Sequence, residues 1–477
     1  MRPRRLAELA QIMGGDNVTV VGDSQAQVGP AVVIDSRRAS SGALFVAIPG
    51  TRVDGHDYAP AAVDAGAAAV LGSEVTAAEV PHLLVADPVV GLSWLARGLV
   101  DEARGRGMLS LGITGSSGKT SAKDMLAHVL AADAATVAPE ASLNNEIGVP
   151  LTACGVADET RYLVTEMGAR GIGHIAWLTS LVGLDVGIVL NVGAAHVGEF
   201  GSIAQTAQAK AEIVTGLSED GWAVLNADDP RVAKMAETTK AQVAWFGEGD
   251  LPPGPLQVSA ERVCLDELSR ASFDLVVRRG GEAQRAPVQL RYVGRHHVAN
   301  ALAAAAAAMC VGLSVPAAAA ELSQATPQSP WRMELQRRSD DVLVLNDAYN
   351  ANPDSMAAAL RAATQLLDRQ RERQPRAKLV AVLGDMLELG PDADAQHRRL
   401  ARLAAAGKVA EIVAVGNYAT VLCESANEMG LRATPATRDE VSALLQLAPG
   451  DVVVIKGSRA IGLEVVAQQL LEGEAQS

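Results

Sequence analysis

Apolar and polar positions in this chain follow two rhythms: short apolar runs of strand length, and longer stretches with helical spacing. In residues 1–107, Val32 to Ile34, Leu44 to Ile48 and Ala68 to Leu71 read as strands, and Tyr58 to Ala65 as a helix leading into the last of them. The stretch Arg104-Gly105-Arg106-Gly107 is polar and Gly-containing and reads as a linker. A second unit, residues 108–328, opens at Met108 with a strand, a Gly-rich turn and a helix. Apolar runs at Arg161 to Glu166, Val186 to Asn191 and Trp222 to Asn226, with helical stretches between them, predict a parallel sheet. Leu251 to Tyr292 alternates apolar and polar residues without helix caps, which predicts an antiparallel insertion. Ala299 to Gly312 is too short to span a bilayer and mostly Ala, so it reads as a close-packed helix. In the third unit, residues 329–477, strands fall at Val342 to Asn346, Lys378 to Leu383, Glu411 to Val415 and Asp451 to Ile455, alternating with helices as in a small doubly wound domain.

The expected fold class is therefore α/β in three domains, and the length of 477 residues exceeds what one core organises. Hydrophobic residues at 49% and charged residues at 20% exclude a disordered chain. Aromatics at 3% leave the cores to Ala, Val, Leu and Ile, which suits helices packed closely on sheets. A formal net charge of -14 argues against a broad nucleic-acid surface, although a phosphate needs only a local pocket. Cys154, Cys264, Cys310 and Cys423 form no CxxC pair, which argues against structural zinc and for reduced thiols. No apolar signal stretch follows Arg2, Arg4 and Arg5, so a cytoplasmic protein without membrane insertion is expected.

The strongest local signal is Leu109-Ser110-Leu111-Gly112-Ile113-Thr114-Gly115-Ser116-Ser117-Gly118-Lys119-Thr120. An apolar strand enters a loop carrying Gly115 and Gly118 and leaves through Lys-Thr-Ser121 into a helix. Glycines let backbone N–H groups turn inward around phosphate oxygens, and the helix start adds positive potential. Lys119 can then reach the phosphates, and the Thr120 hydroxyl can ligate Mg²⁺. A competing string, Gly171-Ile172-Gly173-His174-Ile175-Ala176, lacks the preceding strand and the acidic residue about 20 positions on that a dinucleotide fold needs. It reads as a turn and helix start, which weakens a nicotinamide-dehydrogenase reading.

Ile113 stands where the common Walker pattern has Gly, leaving Thr-Gly-x-x-Gly-Lys-Thr. This variant, with the motifs that follow, resembles the Mur ligase family over nearly the whole chain. Asn144-Asn145-Glu146-Ile147-Gly148-Val149-Pro150 is similar to the segment after the phosphate loop, and implies nucleotide contact by Asn145. Thr165-Glu166-Met167-Gly168-Ala169 is similar to the metal-binding strand end. A hard Mg²⁺ prefers carboxylate oxygen there, although Glu166 taken alone would be a helix cap or surface residue. The resemblance implies a second Mg²⁺ on His196, and a carbamylated Lys210 bridging the metals; a helix lysine paired with Glu212 is the plainer alternative. Gly294-Arg295-His296-His297-Val298-Ala299-Asn300 is similar to Gly-x-His-Asn-x-x-Asn, with His297 departing; it implies nucleotide contact by His296 and Asn300. Trp331-Arg332 stands where a Gly-Arg pair is usual, and Arg332 is expected at the γ-phosphate.

Asn346-Asp347-Ala348-Tyr349-Asn350-Ala351-Asn352-Pro353 takes the form seen in family members that add D-alanyl-D-alanine. Asp347 is expected on ribose hydroxyls and Tyr349 against adenine. Asn350, Asn352 and Lys456-Gly457-Ser458-Arg459 are expected around the amine substrate, with Lys456 or Arg459 meeting its carboxylate. Asp35-Ser36-Arg37 resembles the UDP-sugar-binding domain and implies precursor contacts by Ser36 and Arg37. The implied cofactors are ATP and Mg²⁺. The implied substrates are UDP-N-acetylmuramoyl-tripeptide and D-alanyl-D-alanine, joined through an acyl phosphate by a monomer. A sister ligase adding a different amino acid is the rival, though no Asp-Asn-Pro-Arg segment is present. A non-catalytic nucleotide switch is another.

Overall fold

The computed structural model describes residues 1–193 and 202–472. It contains three main sheets, each flanked by helices, and both larger sheets are mostly parallel. The first has strands in the order Thr19–Val21, His82–Leu84, Ala69–Gly72, Leu44–Val46 and Val32–Val33; all but the first pair run parallel.

The central sheet has nine strands. From one edge they run Thr136–Val137, Tyr162–Glu166, Leu109–Thr114, Val186–Val189, Trp222–Asn226, Gln242–Gly247 and Leu256–Leu265, all parallel. Tyr162–Glu166 is buried at every position, because parallel strands are covered on both faces. Leu109–Thr114 sits between strands that come later in the chain. Its carboxyl end therefore opens at the switch in strand order where ligands of such sheets bind.

Two sequence expectations are corrected here. The alternating segment is antiparallel, but it is no separate insertion: Arg270–Arg279 and Glu282–Val293 extend the central sheet as its last two strands. Sequence alternation shows strands without showing what they pair with. The expected linker at Arg104 to Gly107 begins inside a helix: Arg104 and Gly105 are its last two residues, and Arg106 and Gly107 form a turn. Asp87 caps Val89 N at 2.8 Å, and the helix Pro88–Gly105 buries Leu92, Leu95, Leu99 and Ala103. Arg104 then binds Asp185 of the central unit through two hydrogen bonds of 2.6 and 3.0 Å. One hydrophobic core runs from Leu6, Leu92 and Leu99 in the first unit to Leu163, Met167 and Leu178 in the second.

The Ala-rich helix, His297–Cys310, is buried nearly all round. Methyl side chains let it lie close against the helix Lys119–Ala131 and the sheet beneath. In the third unit the order is Glu334–Arg337, Leu343–Asn346, Val452–Lys456, Leu379–Gly384, Val409–Val415 and Arg432–Ala436, parallel after the first pair. Among the described residues, no helix is long and apolar enough to cross a membrane.

Candidate active site

The phosphate loop joins Leu109–Thr114 to the helix Lys119–Ala131. Gly118 has φ +82°, and a Cβ there would lie 2.5 Å from Asn300 Oδ1, so a side chain is excluded twice over. Asn191, at the end of the neighbouring strand, clamps the loop. Its Oδ1 accepts from Ser117 N at 3.0 Å, and its Nδ2 donates to Ser117 O at 3.2 Å. The Ser116 hydroxyl accepts from Gly193 N at 2.8 Å.

Lys119 Nζ turns back across the loop to Gly115 O at 2.8 Å. Burial pulls the pKa of its ammonium down, Glu166 opposes this, and Arg332 adds to it. Thr120 Oγ1 donates to Glu166 Oε2 at 2.8 Å, while the Ser142 hydroxyl and Asn144 Nδ2 bind Oε1 at 2.6 and 2.8 Å. Burial opposes ionisation of Glu166. Lys119, Arg332 and the bonds from Ser142 and Asn144 together outweigh it and hold the carboxyl below its ordinary range. An ionised carboxylate next to hydroxyl oxygens at a phosphate loop is a hard-oxygen donor set, and it fits Mg²⁺.

His196 lies outside the described residues. Lys210, on the helix Ile203–Thr215, is buried. Burial pushes its amine well below the ordinary lysine range, and Lys119 adds to this. Glu212 does not serve as its ion-pair partner: its carboxylate receives Gly173 N and Ala176 N at the start of the helix His174–Val182. The Gly171 to Ala176 string is thus a turn and helix start.

Several expected ligand residues are engaged within the protein. Asn145 Oδ1 accepts Gly148 N at 2.9 Å and caps the next helix, while Asn144 is the one that reaches Glu166. Asn300 packs on Gly118 and lies 3.2 Å from His297 Nδ1. His296 and His297 are held neutral by burial, His296 at about 4. The His297 ring lies 5.0 Å from Tyr292 and 4.2 Å from His296, so the departure from Asn fills an aromatic nook. Ser121 is buried in the first turn of its helix.

In the third unit, Lys456 is buried and does not point at open solvent. Its Nζ donates to Asp347 Oδ2 at 2.6 Å and Asn350 O at 2.7 Å. It therefore shapes the Asp347 to Asn350 turn, and Asp347 also accepts Met333 N at 3.1 Å. The Arg332 guanidinium lies 3.9 Å from the Tyr349 ring centroid, taking one face of that ring. Trp331 has φ +59°, a left-handed conformation in which Gly is unstrained and Trp is not. That accounts for Gly being usual at this place. Here Arg459 stacks over the Trp331 ring at 4.3 Å, and Trp331 N donates to Glu334 at 3.3 Å. Arg459 also pairs with Glu464. Ser458 Oγ accepts Leu387 N at 3.0 Å, and the Asn350 side chain accepts Ala351 N at 2.8 Å.

Asn352 bridges two units. Its Oδ1 accepts Ser355 N at 2.9 Å, capping the helix Pro353–Arg373, and its Nδ2 donates to Ser116 O of the phosphate loop at 3.3 Å. Asn352→Ala should cost about 1 kcal/mol through the lost cap. Asn352→Ser keeps a capping oxygen but is too short to reach Ser116. Its melting temperature should stay within about 2 °C of the parent's while phosphate release falls about tenfold. Equal turnover in Asn352→Ser and the parent would leave Asn352 as a cap alone.

In the first unit, Asp35 and Arg37 form an exposed pair at 2.6 Å. Hydrogen bonds from the Arg37 side chain and backbone hold the Asp35 carboxyl near 2 and fix the turn bearing Ser36. Arg38 pairs with Glu140 of the central unit at 3.0 Å, joining that turn to the segment leading into Asn144. Sequence reasoning missed Ser142 and the clamping role of Asn191. The signal available was a polar residue at a strand or loop end beside the phosphate loop.

These features define a phosphate-loop nucleotide-binding protein of three α/β units. Family models for the Mur ligase family, catalytic domain, the Mur ligase middle domain and the Mur ligase, glutamate ligase domain match residues 31–97, 113–308 and 331–459. The UDP-N-acetylmuramoyl-tripeptide--D-alanyl-D-alanine ligase of Mycobacterium tuberculosis strain H37Rv is 41% identical, over 98% of this chain and 97% of that protein. Its counterpart in Escherichia coli K12 is 34% identical over 93% and 94%. The chain belongs to the Mur ligase family. The crystal structure of MurF from Acinetobacter baumannii superposes with a TM-score of 0.83 at 31% identity, covering 99% of both chains. That of MurF from Thermotoga maritima in complex with ADP gives 0.73 at 25%, covering 94% and 98%.

Proposed function

We infer that this chain is an ATP-dependent amide ligase. It joins the amino group of D-alanyl-D-alanine to the terminal carboxylate of UDP-N-acetylmuramoyl-tripeptide, giving ADP and phosphate, in peptidoglycan precursor synthesis. The observation that carries the reading is the Lys119, Thr120 and Glu166 cluster at the carboxyl edge of the central sheet, in a chain alike along its whole length to ligases of that name. The precursor carboxylate attacks the γ-phosphate of ATP, and the dipeptide amine then displaces phosphate from the acyl carbon.

The residue roles we propose draw on the geometry and, for His196, on the family resemblance alone. Lys119 and Arg332 lie where they offset charge on the transferring phosphoryl group. Thr120 and Glu166 would hold Mg²⁺, which would supply further charge neutralisation when bound; Lys210 and His196 would hold a second ion once Lys210 carries a carbamate. Gly115, Gly118, Ser121, His296, Asn300, Asp347 and Tyr349 build the nucleotide pocket, several of them as its walls. Asn145 sets the segment beside it. Ser36 and Arg37 face the UDP precursor, and Asn350, Ser458 and Arg459 the amine, with Lys456 and Asn352 positioning that turn. Residues 1–107, 108–328 and 329–477 serve as precursor, ATPase and amine-side domains, with Arg104 fixing the first two together. Loop and turn meet within one chain, which supports a monomer, and substrates of this kind support a cytoplasmic reaction.

Phosphate release measured with the UDP-tripeptide and a panel of amines tests the reading. D-alanyl-D-alanine should exceed any single amino acid at least about tenfold, a difference of about 1.4 kcal/mol. Faster release with lysine or diaminopimelate as the amine would make this a sister ligase.

A further inference from the structure

One helical turn beyond Lys119 stands Lys123, 2% exposed, beside Asp124 at 5%. The two side chains form an ion pair, and Lys123 Nζ donates to Pro139 O at 2.6 Å. Neither residue has a part in the reaction above. Withdrawing two charges from water is costly, and an apolar pair of similar volume usually holds a fold as well or better. What an apolar pair cannot do is fix a carbonyl oxygen in place.

Pro139 lies at the start of the segment between the strand Thr136–Val137 and the helix Gly148–Ala153. That segment has neither helix nor strand of its own, and residues 140–147 are all partly or fully exposed. Yet it carries Ser142 and Asn144, which bind Glu166 Oε1 at 2.6 and 2.8 Å. With so little apolar burial, such a segment takes its position from its polar contacts. Beyond Ser142, Asn144 O accepts Gly168 N at 2.8 Å, and Asn145 caps the next helix. Ahead of Ser142, the buried contact is the one from Lys123. The Arg38 and Glu140 pair, 66% and 84% exposed, is too open to water to hold the segment firmly. Thr120 and Lys123 are three residues apart on one helix and so share a face. Thr120 meets Glu166 directly, and Lys123 meets the segment that supplies the other donors to that carboxylate.

We propose that Lys123 is a positioning residue for the Mg²⁺ site. By holding Pro139 O, its ammonium sets where Ser142 and Asn144 stand, and through them the orientation of the Glu166 carboxylate. Asp124 is the counter-charge that allows the ammonium to be buried. The proposal rests on the function inferred above, in which Thr120 and Glu166 receive the ion. Groups that orient a ligand of a metal tune its affinity without touching the metal. Without Lys123 the segment loses its hold ahead of Ser142, and Glu166 Oε1 loses donors in fixed positions. The phosphate loop itself is clamped separately, by Asn191. Nucleotide binding without the ion should therefore be spared.

Lys123→Met combined with Asp124→Asn removes both charges, so no lone buried charge is left to unfold the protein. Lys123→Met with Asp124→Leu is a second, wholly apolar form of the same test. Calorimetric titration with ADP, in EDTA and in excess Mg²⁺, gives the factor by which Mg²⁺ tightens ADP. In the parent this factor should be at least about tenfold, and in the charge-free pair it should fall towards one. ADP affinity in EDTA should stay within about twofold of the parent's, while the Mg²⁺ concentration for half-maximal turnover rises about tenfold. Ser142→Ala should lower the Mg²⁺ factor too, and adding it to the charge-free pair should lower it little further, since both act through one carboxylate. An unchanged Mg²⁺ factor, equal weakening of ADP with and without Mg²⁺, or full additivity with Ser142→Ala overturns the proposal and leaves the ligase reading standing. A parent whose ADP affinity ignores Mg²⁺ removes the Thr120 and Glu166 ion site and the proposal with it. Phosphate release with D-alanyl-D-alanine, measured on the same parent protein, decides the ligase reading separately.

Discussion

Replacing Lys119 with methionine should reduce ligase turnover by about a thousandfold or more, equivalent to about 4 kcal/mol of transition-state stabilisation. Lys119 is the half-buried cation inside the phosphate loop, held across it by Gly115 O and within electrostatic reach of the buried Glu166 and of Arg332. Methionine keeps the length and apolar stem, so the loss reports the charge. The same variant should change the acid stability of the fold, and the sign can be worked out. Glu166 has a folded pKa below its ordinary value, so it adds stability above the ordinary carboxylate range, and this is lost as pH falls through the folded value. Without Lys119, burial gains on the remaining partners and the folded pKa rises. The loss should then begin at higher pH. Melting temperature against pH checks this; coincident parent and variant profiles, or near-normal turnover, would dismantle the assignment of Lys119.

Replacing Lys210 with alanine should be almost as damaging, about a thousandfold, and partly reversible. An ammonium is a poor neighbour for Mg²⁺, whereas a carbamate carries two oxygens and a negative charge. Forming it joins Nζ to the carbon of CO₂ with loss of one proton, and this needs the neutral amine. A free lysine, with a pKa of about 10.4, is almost wholly charged at neutral pH. Burial lowers Lys210 well below that range, and Lys119 adds to the effect, so the reactive form is accessible. The one nearby carboxylate that sequence offered as an ion-pair partner, Glu212, is spent on a helix start. Acetate or formate should restore part of the activity of Lys210→Ala by supplying a carboxylate at the same place. An unmodified Lys210 in fully active, bicarbonate-equilibrated enzyme would refute the idea.

Where a signal was local, the chain could be read directly. The strand, glycine loop and Lys119-Thr120 helix start lie within a dozen residues and fold as their types demand. The Ala-rich helix and the third-unit strands were equally readable. What remained hidden were pairings between distant segments. The alternation of Leu251 to Tyr292 shows strands but not that they prolong the central sheet. The polar Arg104 to Gly107 hides a helix whose apolar stripe begins at Leu92 and whose last arginine is bound to Asp185. Residue type also fails to say which way a side chain turns. Lys456, Asn145 and Asn300 look like ligand groups and are largely framework here, whereas Ser142 looks ordinary and touches Glu166. Trp331 became intelligible only through its backbone angle.

The hydrophobic core shared by the first two units bears on how the enzyme moves. Leu92 and Leu99 are packed with Leu163 and Leu178, so separating those units would expose apolar surface at about 25 cal/mol per Å². The third unit reaches the phosphate loop through a polar contact, Asn352 to Ser116, which water can replace at small cost. The central and third units also share an apolar contact, Val293 in the core with Met333 and Leu345, and an ion pair, Arg373 with Glu267, so closure is expected at the joint near residues 326–331 against a smaller apolar contact. On that expectation the precursor side and the phosphate loop should keep their mutual geometry, while the amine side should be completed by closure. A compound shaped to the precursor groove should therefore bind the resting enzyme with little reorganisation. One that copies the dipeptide should gain affinity only after nucleotide has drawn the third unit in, and the order of addition in a binding assay would reveal which surface it has found.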